Sequence, residues 1–316
     1  MTSCKTRARY PKKSSGHLFS SRKQRYEFMK NHSSCFCVDQ MAKILGVSRS
    51  GYYDFINHMP SKRAEYNEEL ISKIKTIFTE SYKTYGSPRI HTELKEQGFV
   101  CSRPRVARLM QVNSIQAKMY RKFKKTTRQS DKPYHRGEDL VKQNFSASSP
   151  NSIWVADISY ISVNNKWAYL AIVLDLFSRK VVGMALEETM RTDLIIKALN
   201  SAALQRKPLK GLIHHSDLGS QFTSFDFYNA TKKHGIVLSH GKTGVSYDNA
   251  AMESFFHTLK TELVYFKKYQ SLEEAKLDIF TYIFTFYNQK RRHSTLNYQT
   301  PNEYELHYKK IKNVSL

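Results

Sequence analysis

The sequence predicts an α/β protein in which a mixed sheet, flanked by helices, follows small helical modules. After residue 150 the order of apolar segments is three strands, then helix, strand, helix, strand and helix, which fits a mixed sheet with helices on both faces. Before residue 112 the apolar residues recur at helical spacing and are interrupted by Gly, Ser and Pro. The basic residues are concentrated in the first half of the chain. These observations predict a helical, basic half followed by an α/β half.

The charge distribution predicts a polyanion as the partner of the first half. The formal net charge is +24; residues 1–150 hold 30 Lys and Arg against 12 Asp and Glu, whereas residues 151–316 hold 21 against 15. An anionic membrane is the competing partner, but no segment reaches the roughly 18 apolar residues that span a bilayer. The four cysteines are few and oddly spaced, and Cys35 and Cys37 lie too close for an ordinary zinc pair. No secretory signal is evident, so we expect a cytoplasmic protein.

Residues 1–30 form the first predicted region. They contain nine Lys and Arg, one Glu and few large aliphatic side chains. Such a composition cannot build a core, so it predicts a basic, mobile arm.

Residues 31–112 are predicted to be a helical DNA-binding region, whose first unit lies near residues 38–56. The apolar residues from Val38 onward have helical spacing, Gly46 can end one helix, and Ser48 can cap a second. This pattern is typical of a helix-turn-helix. A short helical hairpin with no role in DNA binding would have the same pattern, and we favour DNA contact because of the surrounding positive charge.

A second helical unit is predicted over residues 66–112. One helix opens at Ser87, and another, capped by Ser102, begins at Arg103. The last helix presents Arg103, Arg105 and Arg108 to solvent. Because guanidinium groups bind phosphates and guanine edges, we expect these arginines to contact DNA. A merely solvated helix face is the alternative.

Residues 113–150 are predicted to be a basic linker. Basic residues, among them Lys122, Lys124 and Lys125, are interleaved with aromatic residues. A flexible segment of this kind can follow a DNA backbone between two folded domains. A disordered spacer is the other interpretation, and the two are compatible.

Residues 151–316 are predicted to be the catalytic core with a C-terminal helical tail. The expected strands are residues 153–163, 167–176, 180–186, 212–214 and 236–238, and the expected helices are 192–206, 224–234, 249–266 and 272–287.

Three acidic residues in this core are the candidate catalytic and metal-binding residues. Asp157 lies inside the first strand, Asp217 closes the fourth, and Glu253 lies on a helix. Carboxylates that converge from separate elements repel one another unless cations neutralise them. Mg²⁺ is the natural choice and Mn²⁺ a substitute, because hard cations favour oxygen ligands. The pattern therefore predicts a metal-dependent enzyme that acts on phosphodiesters.

Other charged residues near this site receive different interpretations. Glu253, His257 and Lys260 are spaced by four and three residues, so they share a helix face, and Lys260 is a candidate for binding DNA phosphates. Asp175 is interpreted as a turn residue and not as a ligand. For His257, and for His214 and His215, a structural role is favoured over a catalytic one. The basic cluster after the last core helix, with Arg291 and Arg292, is interpreted as a DNA contact in preference to a solvated face.

Longer sequence runs resemble a known family. These runs are HSDLGSQF from His215, YDNAAMESFF from Tyr247, LKTE from Leu259, YNQKRRH from Tyr287 and, upstream, YGSPRI from Tyr85. They resemble the OrfB-type transposases of bacterial insertion sequences with two reading frames, which carry a DDE integrase core. The resemblance covers most of the chain. Leu218 departs from the pattern, because relatives usually carry a polar or basic residue there.

The resemblance implies a ribonuclease-H-like fold with two magnesium ions. It also implies binding of double-stranded DNA, both terminal inverted repeats and target, with cleavage and joining at the element ends. A homo-oligomer on DNA and fusion or partnership with the product of an upstream reading frame are further expectations. A DNA-binding protein that keeps the core only as a scaffold, and a hydrolytic nuclease without strand transfer, are the alternatives; the intact acidic triad argues against the scaffold.

Overall fold

The computed structural model describes residues 21–57, 61–118, 137–142, 146–241 and 250–314. The chain divides into two compact units, residues 1–69 and residues 70–316, which are described separately. Lys122, Lys124 and Lys125 lie outside the described residues. None of the described helices combines the length and apolar character needed to cross a membrane.

Three short helices form the core of the first unit: α1 (Arg22–His32), α2 (Val38–Leu45) and α3 (Arg49–Asn57). Gly46 ends α2 in the left-handed conformation, with φ of 62°, which glycine adopts without steric cost. The Ser48 hydroxyl accepts a hydrogen bond from the Gly51 N–H at 3.1 Å, so it caps α3. The predicted helix-turn-helix pattern is therefore present in the structure.

The prediction of a mobile arm over residues 1–30 is wrong for residues 21–30. Ser21 and Gln24 form a reciprocal cap at the start of α1. Met29 is fully buried among side chains that include Met41, Leu45 and Tyr52. Although α1 is strongly basic on its outer face, these contacts give it a core. Helices α1, α2 and α3 thus pack into one module.

The helical part of the second unit contains the end of α4 (Lys62–Glu80), α5 (Ser87–Glu96) and α6 (Arg103–Val112). The Ser102 hydroxyl caps α6 by accepting from the Arg105 N–H at 3.4 Å. As predicted, the inner face of α6 is buried at Val106, Leu109 and Met110.

The α/β part is built on a five-stranded mixed sheet. Its strands are β1 (Ile153–Val163), β2 (Lys166–Asp175), β3 (Val181–Glu187), β4 (Ile213–Ser216) and β5 (Val237–His240). The order across the sheet is β3-β2-β1-β4-β5. The first three strands form an antiparallel meander, whereas β4 is parallel to β1 and β5 is parallel to β4.

Helices cover this sheet. They are α7 (Thr192–Arg206), α8 (Phe225–Lys233), α9 (Ala250–Glu262), α10 (Leu272–Thr281) and α11 (Pro301–Val314). One apolar cluster, termed the main apolar cluster, joins Trp154 and Ala156 of β1 to Ala198 of α7 and Phe227 of α8. Helix α9 packs against β1 and α10 against β3. The predicted fold class, a mixed sheet with flanking helices after helical modules, is confirmed.

Two predicted helices differ in detail from the structure. The helix predicted to end at residue 266 ends at Glu262, and a short 3₁₀ turn (Val264–Phe266) follows it. The helix predicted over residues 272–287 changes to a π-helical segment (Tyr282–Tyr287) after α10. Hydrophobic periodicity does not distinguish these helix types at such short length.

Candidate active site

Asp157 projects from the sheet face opposite to the main apolar cluster. Trp154 and Ala156 belong to that cluster, and neighbouring strand residues point to opposite faces, so Val155 and Asp157 point the other way. Its carboxylate accepts a hydrogen bond from the Ile158 N–H at 2.7 Å. Asp157 is therefore held on a half-buried surface against which no apolar side chain from the main cluster packs.

The parallel pairing of β1 with β4 brings Asp217 to the same level. Val155 pairs with His215, and each aspartate lies two residues further along its own chain segment. Equal offsets in a parallel pair place two side chains on one face, and neighbouring strands lie about 4.8 Å apart. Asp217 is exposed just beyond β4, and its carboxylate accepts from the Gly219 N–H at 3.1 Å.

Helix α9 carries Glu253 and Lys260 over β1. The charges of Asp217, Glu253 and Lys260 all act on Asp157. Burial, the charge of Asp217 and that of Glu253 raise the pKa of Asp157 to about 7, against the opposing influence of the Ile158 hydrogen bond and Lys260. Burial likewise lowers the pKa of Lys260, while Asp157 raises it. The structure thus brings together the four residues that the sequence singled out in the core.

The charges of the three carboxylates influence one another, but these residues do not form a closed set of ligands. Within the described part of the chain, no three His, Cys, Asp or Glu side chains lie close enough to hold a metal ion. The donor chemistry nevertheless fits a hard divalent cation, because such a cation prefers carboxylate oxygens and the charges of Asp217 and Glu253 act on Asp157 with only Lys260 opposing them.

The histidines near this site have structural surroundings. His214 is buried beside Phe222 and Phe227, and burial lowers its pKa to about 3, so the ring is neutral. Its two ring nitrogens have no hydrogen-bond partner among the described residues. The His215 Nδ1 lies 2.9 Å from the Ser239 hydroxyl. These contacts agree with the structural interpretation of both side chains.

The arginines of α6 lie as the sequence predicted. Arg103 and Arg108 are exposed and Arg105 is half-buried. Because their helix buries its opposite face, the three guanidinium groups belong to one outer surface of the helical part.

The prediction that Arg291 and Arg292 are surface DNA contacts is wrong, because both side chains are buried in ion pairs. Arg291 donates from Nε and Nη2 to the two Glu262 oxygens at 2.9 and 2.7 Å, and the Tyr282 hydroxyl donates to the same carboxylate at 2.7 Å. Burial raises the pKa of Glu262, but Arg291 and Tyr282 lower it by more than burial raises it. The pKa of Glu262 therefore lies below its usual value. The pair fixes the end of α9.

Arg292 joins the helical part of the second unit to its α/β part. Its guanidinium binds Glu93 (2.7 Å) and Glu96 on α5 and Glu303 (2.9 Å) on α11. The Arg292 backbone N–H donates to the Tyr85 hydroxyl at 2.8 Å. Three carboxylates thus surround one guanidinium, which leaves little of it for a DNA phosphate.

Asp175 has a structural role that the sequence indicated only in part. Its carboxylate accepts from the Phe177 N–H at 3.0 Å, as a turn residue does, and also from the Asn151 N–H at 2.8 Å. It is fully buried and pairs with Arg206, which also binds Glu305 of α11 at 2.8 Å. Burial raises the pKa of Asp175 to about 6, partly opposed by these bonds. The position of Asp175 at the end of a strand does not predict its interactions with the distant residues Arg206 and Glu305.

Comparison with known families places this architecture among DNA-processing enzymes. The chain matches models of the integrase core domain over residues 147–246 and 234–301, and a model of an HTH-like domain over residues 65–123. The HTH-like match covers most of helix α4 and all of helices α5 and α6, and it does not include the helix-turn-helix of residues 38–57. The fold and these matches define a DNA-binding protein with an integrase-type catalytic core.

Relatives specify the family. The chain is 35% identical over 284 residues to the transposase InsF for insertion sequence IS3A of Escherichia coli, covering 89% of this chain and 98% of the relative. It is 40% identical over 261 residues to an insertion element IS600 31 kDa protein of Shigella sonnei, covering 83% and 96%. The catalytic core domain of BIV integrase is a structural neighbour, at TM-score 0.40 and 19% identity, covering 52% of this chain and 99% of that one.

The chain therefore belongs to the OrfB-type transposases of bacterial insertion sequences, the family of the IS3 transposases. It is a DDE transposase, a polynucleotidyl transferase that cleaves and joins DNA strands during transposition. Integrase core enzymes generally use divalent metal ions. The predicted family, fold and enzyme class are confirmed.

The buried Glu262–Arg291 pair should contribute to the stability of the folded protein. Glu262→Gln leaves the Arg291 guanidinium buried without its counter-charge, so we expect a loss of about 3–5 kcal/mol in the free energy of unfolding at neutral pH. Chemical denaturation, following the unit of residues 70–316, measures this loss. Glu187→Gln is the control, because it removes an exposed pair with Lys197, whose loss costs about 0–1 kcal/mol. Equal losses in the two variants would refute the structural role of the buried pair.

Proposed function

We propose that Asp157, Asp217 and Glu253 are the metal-binding catalytic residues of this transposase. The observation that supports the proposal most strongly is the raised pKa of Asp157, caused by burial and by the charges of the other two carboxylates. A protein gains nothing in stability from such repulsion. A divalent cation bound between the carboxylates would remove it and hold all three ionised.

The proposed cofactor is a pair of Mg²⁺ ions, for which Mn²⁺ can substitute. Bound metal ions supply Lewis-acid activation of the attacking and leaving oxygens of an in-line displacement. The chain supplies the rest. Asp157 would provide a donor from β1, Asp217 one from just beyond β4, and Glu253 one from α9. Lys260, two turns further along α9, places a cation beside Asp157, where it can bind a phosphate oxygen of the substrate.

The same arrangement serves both reactions of a transposase. When water attacks a phosphodiester, the strand is nicked and a free 3′ hydroxyl is formed. When that 3′ hydroxyl attacks a phosphodiester of the target, one strand is joined and another 3′ end leaves. Neither reaction needs a covalent bond between protein and DNA, so no Ser or Tyr nucleophile has to be found.

Substitutions of the three carboxylates test the proposal. We expect Asp157→Asn, Asp217→Asn and Glu253→Gln each to reduce cleavage and strand joining by at least about 100-fold, since each removes an anionic metal ligand. The measurement is the yield of nicked and joined products with Mg²⁺ and DNA carrying the element ends. Binding to the same DNA, measured in EDTA, should change little.

Asp226→Asn is the matched control for this experiment. Asp226 is an exposed acid in the first turn of α8, so it shares the charge change without belonging to the acidic site. It should retain activity. Normal cleavage by any one of the three carboxylate variants would remove that residue from the proposed metal site.

We propose that α6 reads the sequence of the element ends. Support comes from its exposed arginines, its buried opposite face and the HTH-like match that covers it. Arg103, Arg105 and Arg108 can form bidentate bonds to guanine edges or to phosphates. The helix-turn-helix of residues 38–57 is a second candidate DNA-binding module, and its adjoining basic α1 would follow the DNA backbone.

Single alanine substitutions test the role of α6. We expect Arg103→Ala, Arg105→Ala and Arg108→Ala each to weaken binding to element ends, and at least one to reduce preference over random duplex by about 1–3 kcal/mol. Competitive binding assays measure both quantities. Gln111→Ala, an exposed and uncharged position on the same helix, is the control. If all three variants lose affinity equally for end and random duplexes, α6 contacts only the backbone.

The predicted basic linker supplies a separate, sequence-independent contribution. We propose that Lys122, Lys124 and Lys125, in the linker between the helical DNA-binding region and the catalytic core, bind phosphates of the DNA backbone. Replacing all three by Gln should lower the magnitude of the log–log salt slope by about 0.9 for each phosphate that is no longer neutralised, without changing sequence preference. Affinity for duplex DNA measured across a salt series gives the slope. An unchanged slope would show that these lysines only solvate the chain.

The remaining proposals concern assembly. Because an insertion element has two ends, we propose that this chain acts as a homo-oligomer that holds both inverted repeats and the target, in the cytoplasm at the nucleoid. Fusion or partnership with the product of an upstream reading frame would add a further end-binding module. The mass of the complex on paired-end DNA, with and without that product, distinguishes these states.

A further inference from the structure

A basic pocket lies beside α9, on a different side of that helix from Glu253. Its volume is about 300 Å³, at the lower end of the range of ligand pockets. Arg89, Arg179 and Arg291 line it, and Ser254 and Thr258 line it from α9. The pocket therefore combines cations with neutral hydrogen-bond donors, a set suited to a tetrahedral anion.

The lining of this pocket concentrates positive charge. Glu262 binds Arg291 closely and lies 3.9 Å from Arg89, so two of the three guanidinium groups share one carboxylate. Burial lowers the pKa of Arg89, and the Arg291 charge lowers it further. Burial also lowers the pKa of Arg179. An anion in the pocket would offset this unfavourable concentration of charge.

His293 provides an independent indication that the pocket can bind a ligand. It lines the pocket, only 8% of its surface is exposed, and its Nε2 has no hydrogen-bond partner in the described part of the molecule. Burial and the charges of Arg291 and Arg89 lower its pKa well below the usual value. A buried polar atom normally has a partner, because leaving it unpaired costs about 1–3 kcal/mol. An anion would stabilise the imidazolium, whose Nε2–H could then donate to it.

Arg179 occupies a backbone position that is strained for a residue with a side chain. Arg179 lies in the turn between β2 and β3 with φ of 58°, in the left-handed region. A residue with a Cβ pays roughly 1 kcal/mol or more in this conformation, and glycine or asparagine relieves the strain. Such strain is consistent with a functional role for the Arg179 side chain.

We propose that this pocket binds a phosphate group, and that in the working enzyme the group is a non-reacting backbone phosphate of the bound DNA. The inference rests on the proposed function in one respect, namely that DNA crosses α9 to reach the carboxylates. Arg89, Arg179 and the α9 hydroxyls are the direct donors. Arg291 stays paired with Glu262, and its positive charge adds to the electrostatic potential in the pocket without a direct bond to the phosphate.

The position of the pocket restricts which phosphate it can bind. Ser254 follows Glu253 directly on α9, so the pocket and the acidic site lie on two sides of one helix, whose full diameter is about 10–12 Å. Consecutive phosphates of one strand advance about 3.4 Å along the DNA axis. The bound phosphate should therefore lie about two to four nucleotides from the scissile bond.

Equilibrium binding of the full-length protein in EDTA tests the proposal. One arm measures stabilisation by inorganic phosphate. The other uses end duplexes in which single phosphates are replaced by uncharged methylphosphonates. We expect Arg179→Gln to abolish the stabilisation and to weaken duplex binding about tenfold to a hundredfold. We also expect Arg179→Gln to have no additional effect on the duplex that lacks the bound phosphate.

Thr258→Val serves as a second variant should Arg179→Gln fold poorly. It removes one donor while keeping shape and charge, and the same coupling to one phosphate position should appear with a smaller amplitude. Lys197→Gln is the control for loss of one positive charge, since that lysine is exposed on α7 and pairs with Glu187. It should change neither phosphate stabilisation nor the effect of any single methylphosphonate.

The outcomes distinguish the two sources of the phosphate. Coupling at one position near the scissile bond supports a DNA phosphate as the occupant. Stabilisation by inorganic phosphate that depends on Arg179 and Thr258, without coupling at any position, supports a free phosphate group and rejects the DNA assignment. If both variants behave like Lys197→Gln in both arms, the pocket is not a phosphate site. Because no divalent metal is present, these binding results do not require catalysis, so the pocket assignment can fail while the carboxylate triad is correct, and the reverse.

Discussion

The buried ion pair between Glu262 and Arg291 determines how α9 is oriented. Glu262 is the last residue of α9, and Arg291 and Tyr282 hold its two oxygens from a later part of the chain. Burying two charges costs several kcal/mol per ion before they attract each other, so such a pair adds little net stability compared with apolar residues. Its geometry, however, is bidentate and directional. A rotation of α9 about its axis would break the pair, and the same rotation would move Glu253 away from β1 and Ser254 away from the basic pocket. The pair thus links the end of the helix to the two sites along its length.

The sheet provides the second fixed element of the acidic site. Asp157 and Asp217 are each two residues beyond a paired position in parallel strands, so backbone hydrogen bonds set their relative height. The side-chain alternation of β1 then separates Asp157 from the apolar cluster around Trp154. A slip of one residue in the β1 register would point Asp157 into that cluster, where an unpaired charge is strongly unfavourable. Core packing and site geometry are therefore set by the same register, which explains how a repulsive arrangement of carboxylates persists.

Much of this could be predicted from the sequence, because the relevant signals are local. The strand and helix order, the cap of α6 by Ser102 and the shared face of Glu253 and Lys260 depend on residues within a few positions of one another. The errors concern long-range pairing. Four consecutive residues, from Lys290 to His293, suggested an exposed basic surface, but Arg292 binds Glu93, about two hundred residues earlier in the chain. Nothing in the local pattern indicates that partner. The same applies to α1, whose basic composition concealed the single buried Met29 that gives it a core.

The distribution of charge around α9 explains why a strongly basic chain can contain an acidic centre. Lys260 faces Asp157, while the pocket with Arg89 and Arg179 lies around the helix from Glu253. Negative charge is thus confined to one narrow side, bordered by cations that attract a phosphate backbone. At about 0.15 M salt, exposed charges more than about 8 Å apart are largely screened, so the approaching DNA responds mainly to the groups nearest to it. A strand that crosses α9 would meet cations before and after the carboxylates. The acidic centre would then repel the one phosphodiester placed over it until metal ions reverse the local charge. Neighbouring residues of a single helix can therefore serve both DNA binding and metal-dependent chemistry.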